Sequence, residues 1–363
     1  FCECSSLTQI SIPSTVTEIG EYAFYKCSSL TQISIPLTVS EIGEYAFYGC
    51  HSITQISIPF SSKKINRNIF GECSSLTKIL IPLTVTEIGG YAFYKCSSLT
   101  QISIPFSVTK ICEKAFCGCS SLIQILIPCS VTVIEEYSFS GCTSLNQIEI
   151  PISVTKIANN LFENCTKLNK VLIPKTITSI GDYSFYNCSM LNEIDIPISV
   201  NSIGKNTFEM CTSLSKITIP YSLKTLSNCI FVKCSSLVNI EIPNSIEYIG
   251  DSAFCECSSL KIIIIPKSIE TINNGSFQNC SNLTKICIPM SIKSIESFSF
   301  KGCSLLTEIK IPSSVNWIGN NSFEGCSSLK IMNIPSSVTS IGLSAFKDCS
   351  NLTKIELSSI NEI

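Results

Sequence analysis

The segment from Cys27 to Gly49 reads Cys-Ser-Ser-Leu-Thr-Gln-Ile-Ser-Ile-Pro-Leu-Thr-Val-Ser-Glu-Ile-Gly-Glu-Tyr-Ala-Phe-Tyr-Gly, and this pattern recurs along the whole chain. A cysteine occupies every twenty-third position from Cys4 to Cys349, without insertion or deletion. All 15 prolines follow such a cysteine by nine residues, and sixteen of the 19 phenylalanines precede one by three. A fixed period in this range is typical of a solenoid, in which each coil buries its apolar side against its neighbours.

The first half of the repeat predicts a short strand. Leu30, Ile33 and Ile35 alternate with polar residues, which favours an extended segment over residues 32–35. Pro36 ends this strand because proline has no N–H to donate to a sheet. Stacked copies of the strand predict a parallel sheet on one face of the solenoid.

The second half of the repeat predicts the return path. Val39 and Ile42 reach back to the core from a second short extended piece, and Gly43 is expected to supply a turn. Residues 44–50 are expected to form a short helical or 3₁₀ turn that points Ala46 and Phe47 inward. The whole chain, residues 1–363, is therefore interpreted as a single solenoid domain of about 15 turns, cut from a longer chain.

The 23 cysteines are interpreted mainly as structural thiols. Sixteen form one inward column, and adjacent members of a stacked column point in the same direction, which disfavours disulfides. Each thiol is expected to fill a small apolar site and to donate a weak hydrogen bond to the backbone. Zinc is disfavoured because the cysteine pairs are spaced by one residue and no histidine lies nearby. The pairing of the remaining cysteines stays open: Cys2, Cys112, Cys117, Cys129, Cys229, Cys255 and Cys287.

A hydroxyl residue precedes every position equivalent to Val39, for example Thr38, Ser61 and Ser107. A buried hydroxyl at this corner is expected to bond the backbone of the next coil, where sheet hydrogen bonds are lost.

Composition excludes several classes of function. The net charge is −2, and Arg67 is the only arginine. The chain therefore has few side chains that could form bidentate hydrogen bonds with phosphate or guanine, and nucleic acid is not expected as a partner. No apolar run approaches the ~20 residues of a membrane span, so no insertion of this segment is predicted. The single histidine, His51, follows a column cysteine whose thiol points inward. No catalytic residue, metal site or cofactor is predicted, and the chain is not expected to be an enzyme.

The elements Leu30-x-x-Ile33-x-Ile35-Pro36 and Ala46-Phe47-x-x-Cys50 resemble the BspA-type, or Treponema pallidum-type, leucine-rich repeat, and the resemblance covers essentially all of the chain. It implies a curved, right-handed leucine-rich repeat solenoid, with a parallel β-sheet on one face and short extended pieces and short helical or 3₁₀ turns on the other. It also implies a surface or secreted protein linked to adhesion.

Two sets of variable positions are the candidate ligand-binding residues. The residue after each proline is apolar in six successive coils, which predicts an exposed apolar ridge that binds protein or membrane. The alternative is that these side chains fold over the edge of the core. The second set points outward from the sheet. The candidates are Leu37, Phe60, Leu83, Phe106 and Ile152 on the ridge, and Gln101, Gln124, Leu126, Gln147 and Glu149 on the sheet.

The leading hypothesis is a non-enzymatic adhesin-like protein, located at the cell surface or secreted, that binds a host surface or matrix protein. The alternative is a cytoplasmic scaffold with an intracellular protein partner, and a rigid spacer is a third possibility. Neither Phe1 nor the tail from Leu357 to Ile363 shows a polar capping unit, which open solenoids need. The native protein is therefore expected to continue beyond these residues or to associate end to end.

Overall fold

Two kinds of short strand recur in the computed structural model, which describes residues 1–357. A sheet strand of three or four residues recurs in most coils and is reduced to a single bridge at Asn239 and Lys310, and a corner strand of two residues follows each proline turn. These residues form about 15 coils of a parallel β-solenoid. They divide into two units, residues 1–177 and residues 178–357. The tail at 358–363, which belongs to the segment predicted to lack a cap, lies outside the described residues.

In residues 1–177 the sheet strands carry odd numbers and the corner strands even numbers. The strands are β1 (Gln9–Ser11), β2 (Glu18–Ile19), β3 (Gln32–Ser34), β4 (Glu41–Ile42), β5 (Gln55–Ser57), β6 (Lys64–Ile65), β7 (Lys78–Leu80), β8 (Glu87–Ile88), β9 (Gln101–Ser103), β10 (Lys110–Ile111), β11 (Gln124–Leu126), β12 (Val133–Ile134), β13 (Gln147–Glu149), β14 (Lys156–Ile157) and β15 (Lys170–Leu172). Sheet strands pair in parallel as β1–β3, β5–β7–β9–β11 and β13–β15, and corner strands as β2–β4 and β6–β8–β10–β12.

In residues 178–357 the strands are β16 (Ser179–Ile180), β17 (Glu193–Asp195), β18 (Ser202–Ile203), β19 (Lys216–Thr218), β20 (Thr225–Leu226), β21 (Tyr248–Ile249), β22 (Ile262–Ile264), β23 (Thr271–Ile272), β24 (Lys285–Cys287), β25 (Ser294–Ile295), β26 (Trp317–Ile318), β27 (Ile331–Ile334), β28 (Ser340–Ile341) and β29 (Lys354–Leu357). Sheet strands pair as β17–β19, β22–β24 and β27–β29, and corner strands as β16–β18, β20–β21 and β23–β25–β26–β28. No helix occurs among the described residues.

The core is built from columns of identical residues. Each paired residue lies opposite the residue one repeat later, as Gln9 does with Gln32, so equivalent side chains stack. Within each unit the repeat phenylalanines stack ring on ring, with centroids 5.3–5.9 Å apart. Most of these rings are fully buried, and truncating one to alanine would cost about 3–5 kcal/mol.

The predicted helical turn at residues 44–50 is wrong. Tyr45 has a φ of 57° and Gly49 a φ of 71°, so the backbone twice enters the left-handed region. The N–H groups of Tyr45, Phe47 and Gly49 donate to carbonyls of the following coil, at 3.1, 3.0 and 2.8 Å. Tyr48 N and Cys50 N donate within the segment, each over 3.1 Å, but these turn bonds alternate with the bonds between coils, so no continuous helical ladder forms. Ala46 and Phe47 are nevertheless buried, as predicted.

The role predicted for Gly43 is also corrected. Gly43 is not among the residues with positive φ, so it does not serve as a left-handed turn. A Cβ atom at this position would lie 2.4 Å from the backbone nitrogen of Glu21 in the preceding coil. Glycine is required here because two coils approach closely at the corner.

The cysteine column forms the predicted ladder of free thiols. Most column thiols, for example those of Cys50 and Cys73, donate to the carbonyl of a phenylalanine in the preceding coil, over 3.0–3.3 Å. Burial raises the pKa of the Cys50 thiol to about 12 and that of Cys73 well above its usual value. All 23 cysteines are free, including the seven outside the column.

The hydroxyl column also forms hydrogen bonds, but in the opposite direction to the prediction. Ser61 Oγ donates to the carbonyl of Val39 over 2.7 Å, and Ser107 Oγ to that of Val85 over 2.6 Å. The acceptors belong to the preceding coil, whereas the repeat pattern predicted acceptors in the next coil. The bonds still satisfy corner carbonyls that no sheet strand reaches.

Four buried hydroxyls among the described residues have no hydrogen-bond partner, and the one on Ser62 generates a prediction. Ser62 replaces the valine found at Val39 and Val85, is buried, and its Oγ has no hydrogen-bond partner. Ser62→Val removes an unsatisfied polar group, so we expect the free energy of unfolding to rise by about 1–3 kcal/mol. Denaturant unfolding measures the change. The adjacent Ser61→Ala serves as control and should lower stability by about 1 kcal/mol; a loss of stability in Ser62→Val contradicts the prediction.

The thiol ladder predicts a sharp division in cysteine reactivity. Iodoacetamide at pH 8 should rapidly alkylate the exposed Cys129 and Cys287 in the native protein, together with Cys2 and Cys4. Buried column thiols stay protonated because their pKa values are raised, so they should react only after unfolding. Mass spectrometry of labelled peptides measures each site, with the urea-unfolded chain as control. Rapid native labelling of Cys96 would contradict the assignment.

Candidate functional site

The ridge residues stand at the tips of tight turns. Val39 N donates to the carbonyl of Pro36 over 3.0 Å, so residues 36–39 form a β-turn with Leu37 at its second position. The turn recurs in each coil, for example from Pro105 to Val108 over 3.0 Å. A side chain at this position points away from the core. The fold therefore presents the residue after proline to solvent.

The ridge side chains are exposed. Leu37, Phe60, Leu83, Phe106 and Ile152 are 64–78% exposed, and Cys129 between the last two is also exposed. These fractions contradict the alternative that the side chains fold over the edge of the core. At the spacing of stacked strands, the six residues extend over ~25 Å. We call this set the apolar ridge: Leu37, Phe60, Leu83, Phe106, Cys129 and Ile152.

The five sheet candidates occupy outward positions on neighbouring strands. Gln101 and Gln124 lie opposite each other on the paired strands β9 and β11, and both are exposed. Gln124, Leu126, Gln147 and Glu149 line one shallow depression of about 130 Å³, shared with residues of β15. Four of the five candidates thus surround one depression, while Gln101 lies on the strand beside it.

A larger depression lies over the first sheet strands and was not selected from the sequence. It measures about 980 Å³ and is lined by β1, β3, β5 and β7 with the threonines that precede β3 and β5. Its outward residues are mainly glutamine and serine, such as Gln32 and Ser34. The same glutamine column continues to Gln101, so the sequence contained the signal. The shape of the sheet that forms the depression could not be predicted from the sequence.

The sheet face of residues 1–177 carries little charge. Its outward strand positions offer amides and hydroxyls, with Lys78, Lys170 and Glu149 as the charged side chains. Leu80 and Leu126 add exposed aliphatic groups, at 62% and 81% exposure. Such a face can exchange neutral hydrogen bonds with a partner and bury aliphatic surface. It has no concentration of positive charge that would attract a phosphate backbone.

Aromatic stacking stabilises the outer turns. The rings of Tyr22 and Tyr45 stack with centroids 4.9 Å apart, and Arg67 lies 4.9 Å from the centroid of Tyr91. Lys114 Nζ lies within 5.1 Å of the same Tyr91 ring. The tyrosine faces are therefore occupied within the chain, and this surface is explained by its own packing.

The residues with the most reactive chemistry do not form a catalytic group. The Cys50 thiol donates to the carbonyl of Phe24, whereas the exposed His51 contacts the carbonyl of Glu72 through Nδ1, over 2.9 Å. Each side chain thus has its own backbone partner. The described residues contain no cluster of three or more potential metal ligands. No helix in this part of the chain is long and apolar enough to cross a membrane.

Several solved structures are similar to this chain. A leucine-rich repeat protein from Bacteroides ovatus is 28% identical, with a TM-score of 0.75, over 97% of this chain and 92% of that chain. The pneumococcal vaccine antigen PcpA is 25% identical, with a TM-score of 0.58, over 76% of this chain and 75% of the other. A leucine-rich repeat protein from Eubacterium ventriosum is 24% identical, with a TM-score of 0.50, over 88% and 82%. No curated protein matches the chain.

The family comparison covers the whole sequence. The family described as "BspA type Leucine rich repeat region (6 copies)" matches residues 1–123, 109–238, 178–293 and 270–363. These matches agree with the columns of leucine, proline, phenylalanine and cysteine in both units. The chain therefore belongs to the BspA-type leucine-rich repeat family.

Proposed function

We propose that this chain is a non-enzymatic binding solenoid whose apolar ridge and adjoining sheet face contact another protein. Leucine-rich repeat proteins typically bind proteins. The observation that carries the proposal is the column of exposed apolar side chains at the same turn position in successive coils, including Phe60, Leu83 and Phe106. Exposed apolar surface of this continuity marks interaction sites in soluble proteins.

The ridge and the sheet candidates are close along each coil. Phe106 follows Gln101 by five residues, and only the rest of the strand, Ile104 and Pro105 separate them. A stable protein interface buries about 800 Å² on each partner, more than a single row of side chains supplies. The ridge would provide the desolvated centre of such an interface, and the amides of the sheet would provide the polar surround.

The proposed setting is adhesion at the cell surface or in a secreted protein, with a host surface or matrix protein as partner. Its support is the family membership and the similarity to PcpA, which is described as a pneumococcal vaccine antigen. An intracellular scaffold is the alternative. The single arginine and the neutral face argue against nucleic acid.

The repeat continues unbroken through residues 177 and 178, so we propose that the chain from 1 to 363 is one repeat domain. End-to-end association of copies also remains part of the proposal.

The ridge is tested by Phe60→Ser, Leu83→Ser and Phe106→Ser in one chain. Serine occurs naturally at this turn position as Ser14 and Ser336, so the melting temperature should change little. Both chains are used as baits in pull-downs from cell-surface or matrix extract. The native chain should capture a partner, and the triple variant should capture at least tenfold less of it. Parallel pull-downs from cytosolic extract test the scaffold alternative.

The matched control changes three exposed residues of the same column in the second unit, Ile198→Ser, Tyr221→Ser and Met290→Ser. It removes similar apolar surface and should leave capture intact. Equal capture by the native chain and the ridge variant would refute the ridge as the binding site. Capture from cytosol alone would replace the adhesion proposal with the intracellular scaffold.

A further inference from the structure

Strand β22 differs from the other sheet strands in residues 1–357. Its outward residues, Ile262 and Ile264, are both aliphatic and are 45% and 64% exposed, while Ile263 between them is buried. The other described sheet strands have at least one polar or charged residue among their outward positions. A strand with aliphatic side chains on both faces is typical of sheets that are covered on both sides. No part of the chain that the structure describes covers this strand.

The neighbouring strand adds to this patch. β22 pairs with β24 in register, which places Lys285 beside Ile262 and the exposed Cys287 beside Ile264. Ile331 at the start of β27 is a further exposed aliphatic residue, at 48%. The patch therefore has an aliphatic centre with a lysine directly against it.

Positive charge is concentrated in the segment of Ile262 and Ile264 and in the three segments that follow it. Four successive sheet-side segments, residues 261–267, 284–290, 307–313 and 330–336, contain five lysines and one acidic residue, Glu308, in a chain of net charge −2. All five lysines are exposed, and none forms an ion pair among the described residues. The lysines are Lys261, Lys267, Lys285, Lys310 and Lys330. The acids on either side are Glu241, one segment earlier, and Glu356, which pairs with Lys354.

We propose that this surface, named the lysine–isoleucine patch and formed by β22 with these five lysines, binds an acidic, extended segment of a partner protein that carries aliphatic side chains. Carboxylates on the segment would pair with lysines that form no ion pair within residues 1–357, and its aliphatic groups would bury Ile262 and Ile264. The patch lies in the second unit, so this proposal stands independently of the apolar ridge.

The chemistry of the patch favours a protein segment over other polyanions. Phosphate and guanine are recognised best by arginine forks, and the patch contains lysine alone. A sulfated polysaccharide could satisfy the lysines, but it has no aliphatic group that would bury Ile264. A peptide supplies both groups at the alternating positions of an extended chain.

A peptide library tests the composition of the partner. Ten-residue peptides, with each position drawn from Asp, Glu, Lys, Ser, Leu and Ile, are passed over the immobilised full chain, and the retained peptides are sequenced. We expect joint enrichment of acidic and aliphatic residues. Retention without acidic enrichment, or no retention above the blank surface, would overturn the proposal.

Charge variants then locate the site with a fluorescein-labelled peptide from the retained pool. Lys285→Gln with Lys310→Gln should weaken its binding about tenfold at low salt, and the effect should shrink as salt is raised. The control, Lys205→Gln with Lys233→Gln, changes the net charge equally at exposed sites outside the sheet and should stay within about twofold. Equal weakening by both pairs would show a general charge effect and would refute the patch.

An aliphatic variant separates peptide binding from simple polyanion binding. Ile264→Ser is compatible with the sheet, since serine occupies this position in β1, β3 and β5. It should weaken the peptide about fivefold but leave binding of dextran sulfate unchanged. If Ile264→Ser leaves peptide affinity intact, the aliphatic centre has no part in recognition and the proposal fails. Neither result bears on capture through the apolar ridge.

Discussion

The structure depends on one constraint, the parallel pairing of strand residues with their equivalents one repeat later. Backbone hydrogen bonds between coils hold this register in the strands and in the outer turns, where Tyr45, Phe47 and Gly49 donate to the next coil. Once the register is fixed, identical side chains must stack. The phenylalanine column, the thiol ladder and the hydroxyl column are three results of the same pairing. The apolar ridge is a fourth result, on the outside of the coil.

The period made most of the fold predictable, because residues that must be buried recur at fixed spacing. Alternation around Ile33 located the sheet strands, and the inward direction of Ala46 and Phe47 was correct. The helical turn was wrong because the choice between bonds within a turn and bonds between coils depends on a neighbour that sequence spacing does not show. Gly43 was misread for a related reason, since its contact is with the backbone of the preceding coil.

The candidate site was predictable to a lesser extent. Sequence comparison between repeats indicated where the chain is free to vary, and the structure places Phe60 and Phe106 on the surface. The sequence comparison could not show whether these side chains are exposed or pack at the edge of the core, because an apolar residue after proline is compatible with both. It also could not reveal the two depressions, because these depend on the shape of the sheet. Ile262 and Ile264 were visible as an apolar run, but their isolation on an uncovered face was not.

The ladder of thiols and rings gives every coil the same interior, and this has an evolutionary consequence. A recombination event that duplicates or deletes one whole coil joins two compatible interiors and leaves the register intact. The outward positions are then free to change, since serine, leucine and phenylalanine are all found after proline. A lineage could lengthen, shorten or relocate its recognition surface in whole-coil increments while the hydrophobic interior stays the same. Rapid diversification of binding specificity would require no redesign of the fold.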